Sequence, residues 1–489
     1  MKKTRLTALF MALLLCGANV MACGSGGGAG AQDTTAAGTE SGGTTESTAL
    51  TADIPDKDYG GYEFRILGMP LTATSNVGSE IYVEEQNGDI LNDAVFKRNS
   101  MVEEKLNVEI TKVEAATPKT ELTNAVMAGD DAYDAVIDVV SRYNASITSG
   151  YLLPLSEMKY IDITKPWWTS AVIDDCGIAG KQFLLFGDLL FNDKHMTWCL
   201  VFNKEMAAEN KLEDPYKLVL DGKWTMDKLQ AQCANISQDL NGDTVMDYKD
   251  QWGLLGSKTA GIGLVTSCNI VTSEMKNDGI NFILDNTHNV NALDKIYDFI
   301  HSENMMLRAE DITGVSDIWT EIINVFREGR ALYRISIMTD VPKLRDMEDE
   351  FGILPLPKLD ESQKEYYTSY QSWNARAYAV PVTVADPERT GIVLEYMASV
   401  STDTMLKAYY DTTLQRKVAR DDDSAAMLDI IFNSLTTDTA MMLELGGIRT
   451  SIVNMINAAS NTNASSIASI KTSVQEQLNT IYENVSKLD

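Results

Sequence analysis

Residues 239–250 read DLNGDTVMDYKD, with oxygen-bearing side chains at the first, third, fifth, ninth and twelfth positions: Asp239, Asn241, Asp243, Asp247 and Asp250. With the Val245 carbonyl at the seventh, this is the spacing by which a twelve-residue loop wraps Ca2+, a hard cation that takes roughly six to eight oxygens. Carboxylates crowded into one loop repel one another unless a cation sits among them. Thr244 stands where Gly usually makes the sharp turn, and Asp250 is shorter than the usual Glu. A structural Ca2+ is expected here. The competing reading is a solvated acidic turn closed by Asx hydrogen bonds.

The second set of chemistry-bearing residues is aromatic. The chain has seven Trp, at 167, 168, 198, 224, 252, 319 and 373. Sugars offer C–H faces that stack on rings and hydroxyls that need planar polar partners. Tyr370-Gln371-Ser372-Trp373-Asn374 has that composition, just before a strand-like run at 377–382. Ser141 and Arg142 follow an apolar strand-like run, and open α/β sheets bind ligands at the carboxyl ends of their strands. Trp373, Tyr370, Asn374, Ser141, Arg142, Trp198, Trp168, Asp188 and Ser336 are therefore the candidate ligand-binding residues. For any one Trp the alternative is core packing; Trp224 (GKWT, at a helix start) and Trp252 (beside the acidic loop) read as structural.

No catalytic set accompanies them. G-x-S-x-G, H-E-x-x-H, a P-loop and a strand-borne G-x-G-x-x-G are all missing, and the three His (195, 288, 301) do not stand at metal-ligand spacing. With 70 Asp plus Glu, the sequence does not single out the carboxylate pair of a glycosidase. A net charge of −29 argues against nucleic acid and against an anionic lipid surface as partners of the body. Of six Cys, those at 176, 199, 233 and 268 belong to the body; they form no C-x-x-C pair and are open to disulfides or to burial as thiols.

These residues need elements to hold them. Lys2, Lys3 and Arg5 precede an apolar stretch at 6–20, then Val-Met-Ala-Cys at 20–23. That is a secretory leader, its apolar core of about 15 residues being short of a membrane span. The Cys at the cut resembles the lipobox of bacterial lipoproteins, which implies cleavage after residue 22 and lipidation of Cys23. Residues 24–53 are rich in Gly, Ser, Thr and Ala and cannot bury enough surface to order themselves, so 23–57 is expected to be a tether. Beyond it, runs at 62–69, 108–113 and 133–140 read as strands, with helical patterns at 91–106 and 121–128 between them, the order of an α/β domain. Further strands are expected at 183–186, 197–202, 331–338, 351–354 and 377–382. An amphipathic helix is expected over 467–485.

Residues 326–357, FREGRALYRISIMTDVPKLRDMEDEFGILPLP, resemble family 1 of the bacterial extracellular solute-binding proteins of ABC importers. So do NGDILNDAVFKRNSMVEEKLNV from Asn87, AGDDAYDAV from Ala128, LVFNKEMAAE from Leu200 and DGKWTMDKL from Asp221, which fit a clostridial-type branch. The acidic loop is similar to that of dockerin modules. The family resemblance implies an α/β, two-lobe, periplasmic-binding-protein-like clamp with chain crossings between lobes. Lobe one would comprise 58–165 and 331–400, lobe two 170–325 and 401–489, with ligand in the cleft. It implies a lipid-anchored extracytoplasmic protein without enzymatic activity. Such a protein captures a solute, a sugar or oligosaccharide first among them, and delivers it to permease subunits. A lipid-anchored glycan-degrading enzyme and a surface sensor or adhesion module on the same fold are the alternatives.

Overall fold

A computed structural model describes residues 51–70, 80–410 and 422–488. The expected leader, the lipidation site Cys23 and the tether as far as residue 50 lie outside the described residues. The last part of the expected tether is already attached to the body: Ala52 and Ile54 pack on the core, and Asp56 pairs with Lys105 at 2.9 Å.

The run YDAVIDVV forms β3 (Ala135–Val139), all five residues buried, as a strand covered on both faces requires. It pairs in parallel with β1 (Tyr62–Gly68), which pairs in parallel with β2 (Val108–Glu114). Parallel neighbours need crossover helices. The first is Ile90–Leu106, capped by Asp89 accepting from the Leu91 and Asn92 N–H groups. The second is Pro118–Ala128, stopped by Gly129 at φ 67°. β11 (Arg376–Ala379) adds an antiparallel edge to β3, completing a sheet in the order β11-β3-β1-β2.

The second sheet runs β10 (Phe351–Leu354), β4 (Trp198–Asn203), β9 (Ala331–Ile337), β5 (Trp252–Gly256), β8 (Met306–Arg308). β4 is antiparallel to both neighbours, whereas β9, β5 and β8 are parallel. A hairpin, β6 (Ser273–Lys276) with β7 (Gly279–Phe282), packs under the C-terminal helix Asn463–Ser486.

Among the described residues the chain passes between the two sheets three times. Residues between β3 and β4 lead to the second sheet, and those between β10 and β11 return. Helix Pro387–Ser401 packs on the first lobe's helix Ile90–Leu106, and the later helix Asp422–Asn433 packs on β10.

Two expectations need correction. Lobe one was expected to resume at 331, but β9 and β10 belong to the second sheet and only β11 returns. All seven residues of β9 are buried, and β4 and β5 satisfy its backbone on either side. Residues 183–186 are not a strand: Leu185 makes a single bridge to Tyr378 as the chain leaves the first lobe. All four body cysteines are buried and free, and burial pushes the Cys176 and Cys268 thiols up to about 12. Among the described residues no helix is long and apolar enough to cross a membrane.

Candidate ligand-binding site

The first two crossings lie side by side. The Trp198 N–H donates to the Ser369 carbonyl at 3.1 Å, and the Gln371 N–H to that of Met196 at 2.8 Å. The Arg376 N–H reaches Asn192 Oδ1 at 2.7 Å. At the end of β3 the Val140 N–H donates to Ala375 at 2.9 Å, so Ser141 and Arg142 emerge beside Asn374. From the second sheet, Trp198 is paired with Ile337 and Cys199 with Ser336. Residues far apart in sequence (Ser141, Arg142, Trp198, Ser336, Tyr370, Trp373 and Asn374) thus gather where the lobes join.

Their exposure differs, and that sorts them. Trp373 is half-buried. It meets Trp198 edge-on at 6.0 Å and carries the Arg449 guanidinium 5.6 Å from its ring centre, a geometry in which cation and ring attract. Arg449 is held by Glu444 at 3.0 Å and donates to Ser372 Oγ at 2.8 Å. Asn374 is half-buried and donates to Gln371 Oε1 at 2.5 Å. Arg142 is half-exposed and pairs with the buried Asp138 at 3.1 Å. Trp198 is 3% exposed, and its Nε1 has no hydrogen-bond partner among the described residues. Ser336 is buried, accepting from Arg334 at 2.5 Å.

Trp198 and Ser336 are thus as buried as the three remaining candidates, whose side chains are taken up by contacts within the core. Tyr370 is 1% exposed, its ring stacked against Phe186. Trp168, with Trp167, is buried in the first lobe. Their indole N–H groups converge on one carboxylate, Glu395, at 2.8 and 3.2 Å, and burial pushes that acid up to about 7. Asp188 is buried, accepts from Thr402 Oγ1 at 2.8 Å, and is likewise pushed up to about 7 by burial. Trp224 and Trp252 are structural as expected: their indoles donate to the Pro355 carbonyl at 3.0 Å and to the Asp247 carbonyl at 2.7 Å.

The junction also holds charged residues that the sequence reading passed over. Lys194 pairs with Asp193 at 3.0 Å, and Arg334 with Asp340 at 2.6 Å. Burial pushes Asp340 up, but Arg334 and Lys343 outweigh it and hold the carboxyl below its usual value. Arg376 is 4% exposed. The available signal was a charge inside an apolar strand, as with Asp138 in AVIDV, because a buried charge demands partners. A cavity of about 420 Å³ lies between the end of β2 and helix Pro118–Ala128, against Thr117, Thr120, Glu121 and Tyr133; its lining includes none of the candidate residues.

The acidic loop closes on its own backbone. Asp239 accepts from the N–H groups of Asn241, Gly242 and Thr244, Asn241 from Asp243, Asp243 from Val245, and Asp247 from Lys249. Buried Asp250 accepts from Leu240 at 3.0 Å and Asp247 at 2.8 Å. Thr244 takes the left-handed turn at φ 67° that Gly usually supplies. Among the described residues no group of three or more His, Cys, Asp or Glu gathers in a way that could hold a metal ion.

No family model matches the chain, and no curated protein does. Solved structures do. The ABC substrate-binding protein Lmo0181 from Listeria monocytogenes, in complex with cycloalternan, is similar at 12% identity, with 85% of this chain and 98% of that one covered and a TM-score of 0.54. The maltose/maltodextrin-binding domain MalE from Bdellovibrio bacteriovorus, bound to maltotriose, aligns at 13% identity over 85% and 99%, TM-score 0.53. The GacH receptor of Streptomyces glaucescens, solved unliganded and with acarbose, aligns at 15% identity over 86% and 98%, TM-score 0.55. At these identities the likeness is one of fold: a two-lobe α/β clamp of the periplasmic-binding-protein kind, running the whole length of those chains.

Proposed function

We propose that this protein is the lipid-anchored, extracytoplasmic solute-binding component of an ABC importer, and that it captures a carbohydrate between its lobes and passes it to the permease. The observation that carries the reading is the junction itself. Two chain crossings place the half-buried Trp373 with Asn374, Arg142 and Trp198 where lobe one meets lobe two. Solute that touches both lobes only when they close shifts the open–closed balance by its binding energy, which gives the permease a distinguishable form to engage. The sugar-bound neighbours of the same fold support the solute class.

The leader and Cys23 supply the anchor in this proposal. A tether then holds the clamp at high local concentration over its membrane partner, where weak docking suffices. Thermal unfolding with a panel of saccharides and small polar solutes tests the capture role, because a ligand of the native state raises the midpoint. Cleavage of a glycan in that panel overturns the reading in favour of an enzyme. Recovery of a Cys23→Ala variant in the medium rather than the membrane fraction tests the anchor. A structural Ca2+ in loop 239–250 is a separate proposal, supported by the oxygen spacing and the turn at Thr244.

A further inference from the structure

Among the described residues, most charges at the junction are matched pair by pair. The buried Arg98, which has no carboxylate, is served instead by the carbonyls of Glu80, Ile81 and Leu189 at 2.7 to 3.0 Å. Arg376 has neither a carboxylate nor such a set of carbonyls. Arg142 has Asp138, Lys194 has Asp193, Arg334 has Asp340 and Arg449 has Glu444, at 2.6 to 3.1 Å. Arg376 is 4% exposed, and among the described residues no carboxylate stands within ion-pair distance of it. Its Nη1 donates to the Asn374 carbonyl at 3.0 Å, and its Nε has no hydrogen-bond partner.

The acids whose charge reaches it, Glu80 and Asp138, are already engaged. Asp138 accepts from the N–H groups of Lys119 at 3.0 Å and Val139 at 2.7 Å, and from Arg142. Glu80 is 2% exposed and accepts from the Asn192 N–H at 3.3 Å. Burial pushes Glu80 up to about 7, which thins its negative charge at neutral pH. Arg142 lies close enough to oppose the charge on Arg376. Of the two guanidiniums at the joined ends of β3 and β11, Arg142 holds the carboxylate of Asp138 and Arg376 holds none, beside the half-buried Trp373 and Asn374.

A buried arginine without a counter-charge is costly to keep, and a neutral sugar does not supply one. A carboxylate does, and a guanidinium fork is shaped to take it. We propose that the solute is an acidic saccharide, with a uronate carboxylate bound by Arg376 and Arg142 and a sugar ring on Trp373. This rests on the solute-binding reading above and names the ligand class of the same site. The two lobes opening at the junction give the solute access, and closure draws the ion pair out of water, where it is strongest.

Titration calorimetry on the purified protein with di- and trigalacturonate, and with the same saccharides reduced at their carboxyls to neutral galactose units, tests the proposal. The acids should bind, and reduction should weaken binding by on the order of 30-fold or more, the factor expected when a buried charge pair loses one partner. Arg376→Gln should lose that factor for the acids, shrinking the gap between acid and reduced ligand, and Arg376→Lys should recover part of it. Equal affinity for acid and reduced forms overturns the proposal, as does binding confined to neutral solutes. If Arg376→Gln does not fold, the comparison of acid with reduced ligand on the unaltered protein decides alone. Failure of every solute in the wider panel to bind overturns the solute-binding reading instead.

Discussion

Glu395 offers a quantitative test of how the first lobe is built. It is 1% exposed and accepts from both indoles, Trp168 at 2.8 Å and Trp167 at 3.2 Å, and from the Asp162 N–H at 3.3 Å. Burial raises its carboxyl from 4.5 to about 7, the three donors only partly offsetting the cost of the charge. The fold therefore favours the neutral acid. Its contribution to stability is fully present below the unfolded value near 4.5 and is lost as the pH rises through about 7. At about 1.4 kcal/mol per unit, the loss by pH 8 is about 3 kcal/mol. Glu395→Gln stays neutral throughout and keeps one acceptor, leaving one donor less well served at a cost of about 1–3 kcal/mol. At pH 8 the variant should match or slightly exceed the parent, and at pH 5 it should be weaker by that donor's cost. Urea unfolding between pH 5 and 8 measures this. The parent should lose stability across the range, and the variant should lose less, keeping the slope of Asp188 and Glu80, which burial also pushes up to about 7. A variant as pH-dependent as the parent refutes the reasoning.

Three other outcomes follow from the arrangement. Trp373→Ala should weaken solute binding by on the order of 30-fold, the loss of a stacking anchor of about 2 kcal/mol, while the unfolding midpoint changes little because the ring is only half-buried; calorimetry and a melting curve read the two effects separately. Trp224→Ala should do the opposite: its indole is fully buried and bonded to Pro355, so the variant should lose about 3–5 kcal/mol of stability and keep its affinity if it folds. Calcium should raise the unfolding midpoint, by about 2.7 kcal/mol of stability at a hundredfold excess over its dissociation constant, and Asp243→Ala should abolish the rise; an unchanged midpoint in the parent sinks the calcium proposal.

Much of the fold was legible because its strands and crossovers carry strong local patterns. β3 is apolar but for Asp138, Gly129 marks a helix end, and Phe351–Leu354 is bounded as the sequence suggested. β5 was missed because WGLLG has Gly at two of five positions, a composition that argues against a strand. There the glycines serve packing: a Cβ at Gly253 would lie 2.7 Å from the Cys233 carbonyl. The lobe boundary was misplaced because strand pairing is a tertiary property, and nothing local in ALYRISI says which sheet takes it. At the junction, composition picked out the partly exposed Trp373, Asn374 and Arg142 but also gathered the buried Trp168 and Tyr370. An indole left half-exposed and one that donates to a buried carboxylate look alike in sequence. Arg376 escaped because its meaning lies in the acids around it, which come from residues 80 and 138.

The central claim is a clamp that closes on an acidic saccharide. Small-angle scattering of the purified protein with and without trigalacturonate tests it most directly. The radius of gyration should fall with the saccharide, saturating with the calorimetric isotherm, and should stay unchanged with the carboxyl-reduced ligand at the same concentration. An unchanged radius at saturating ligand, or the same contraction with the neutral form at that concentration, contradicts a clamp that closes on an acidic saccharide.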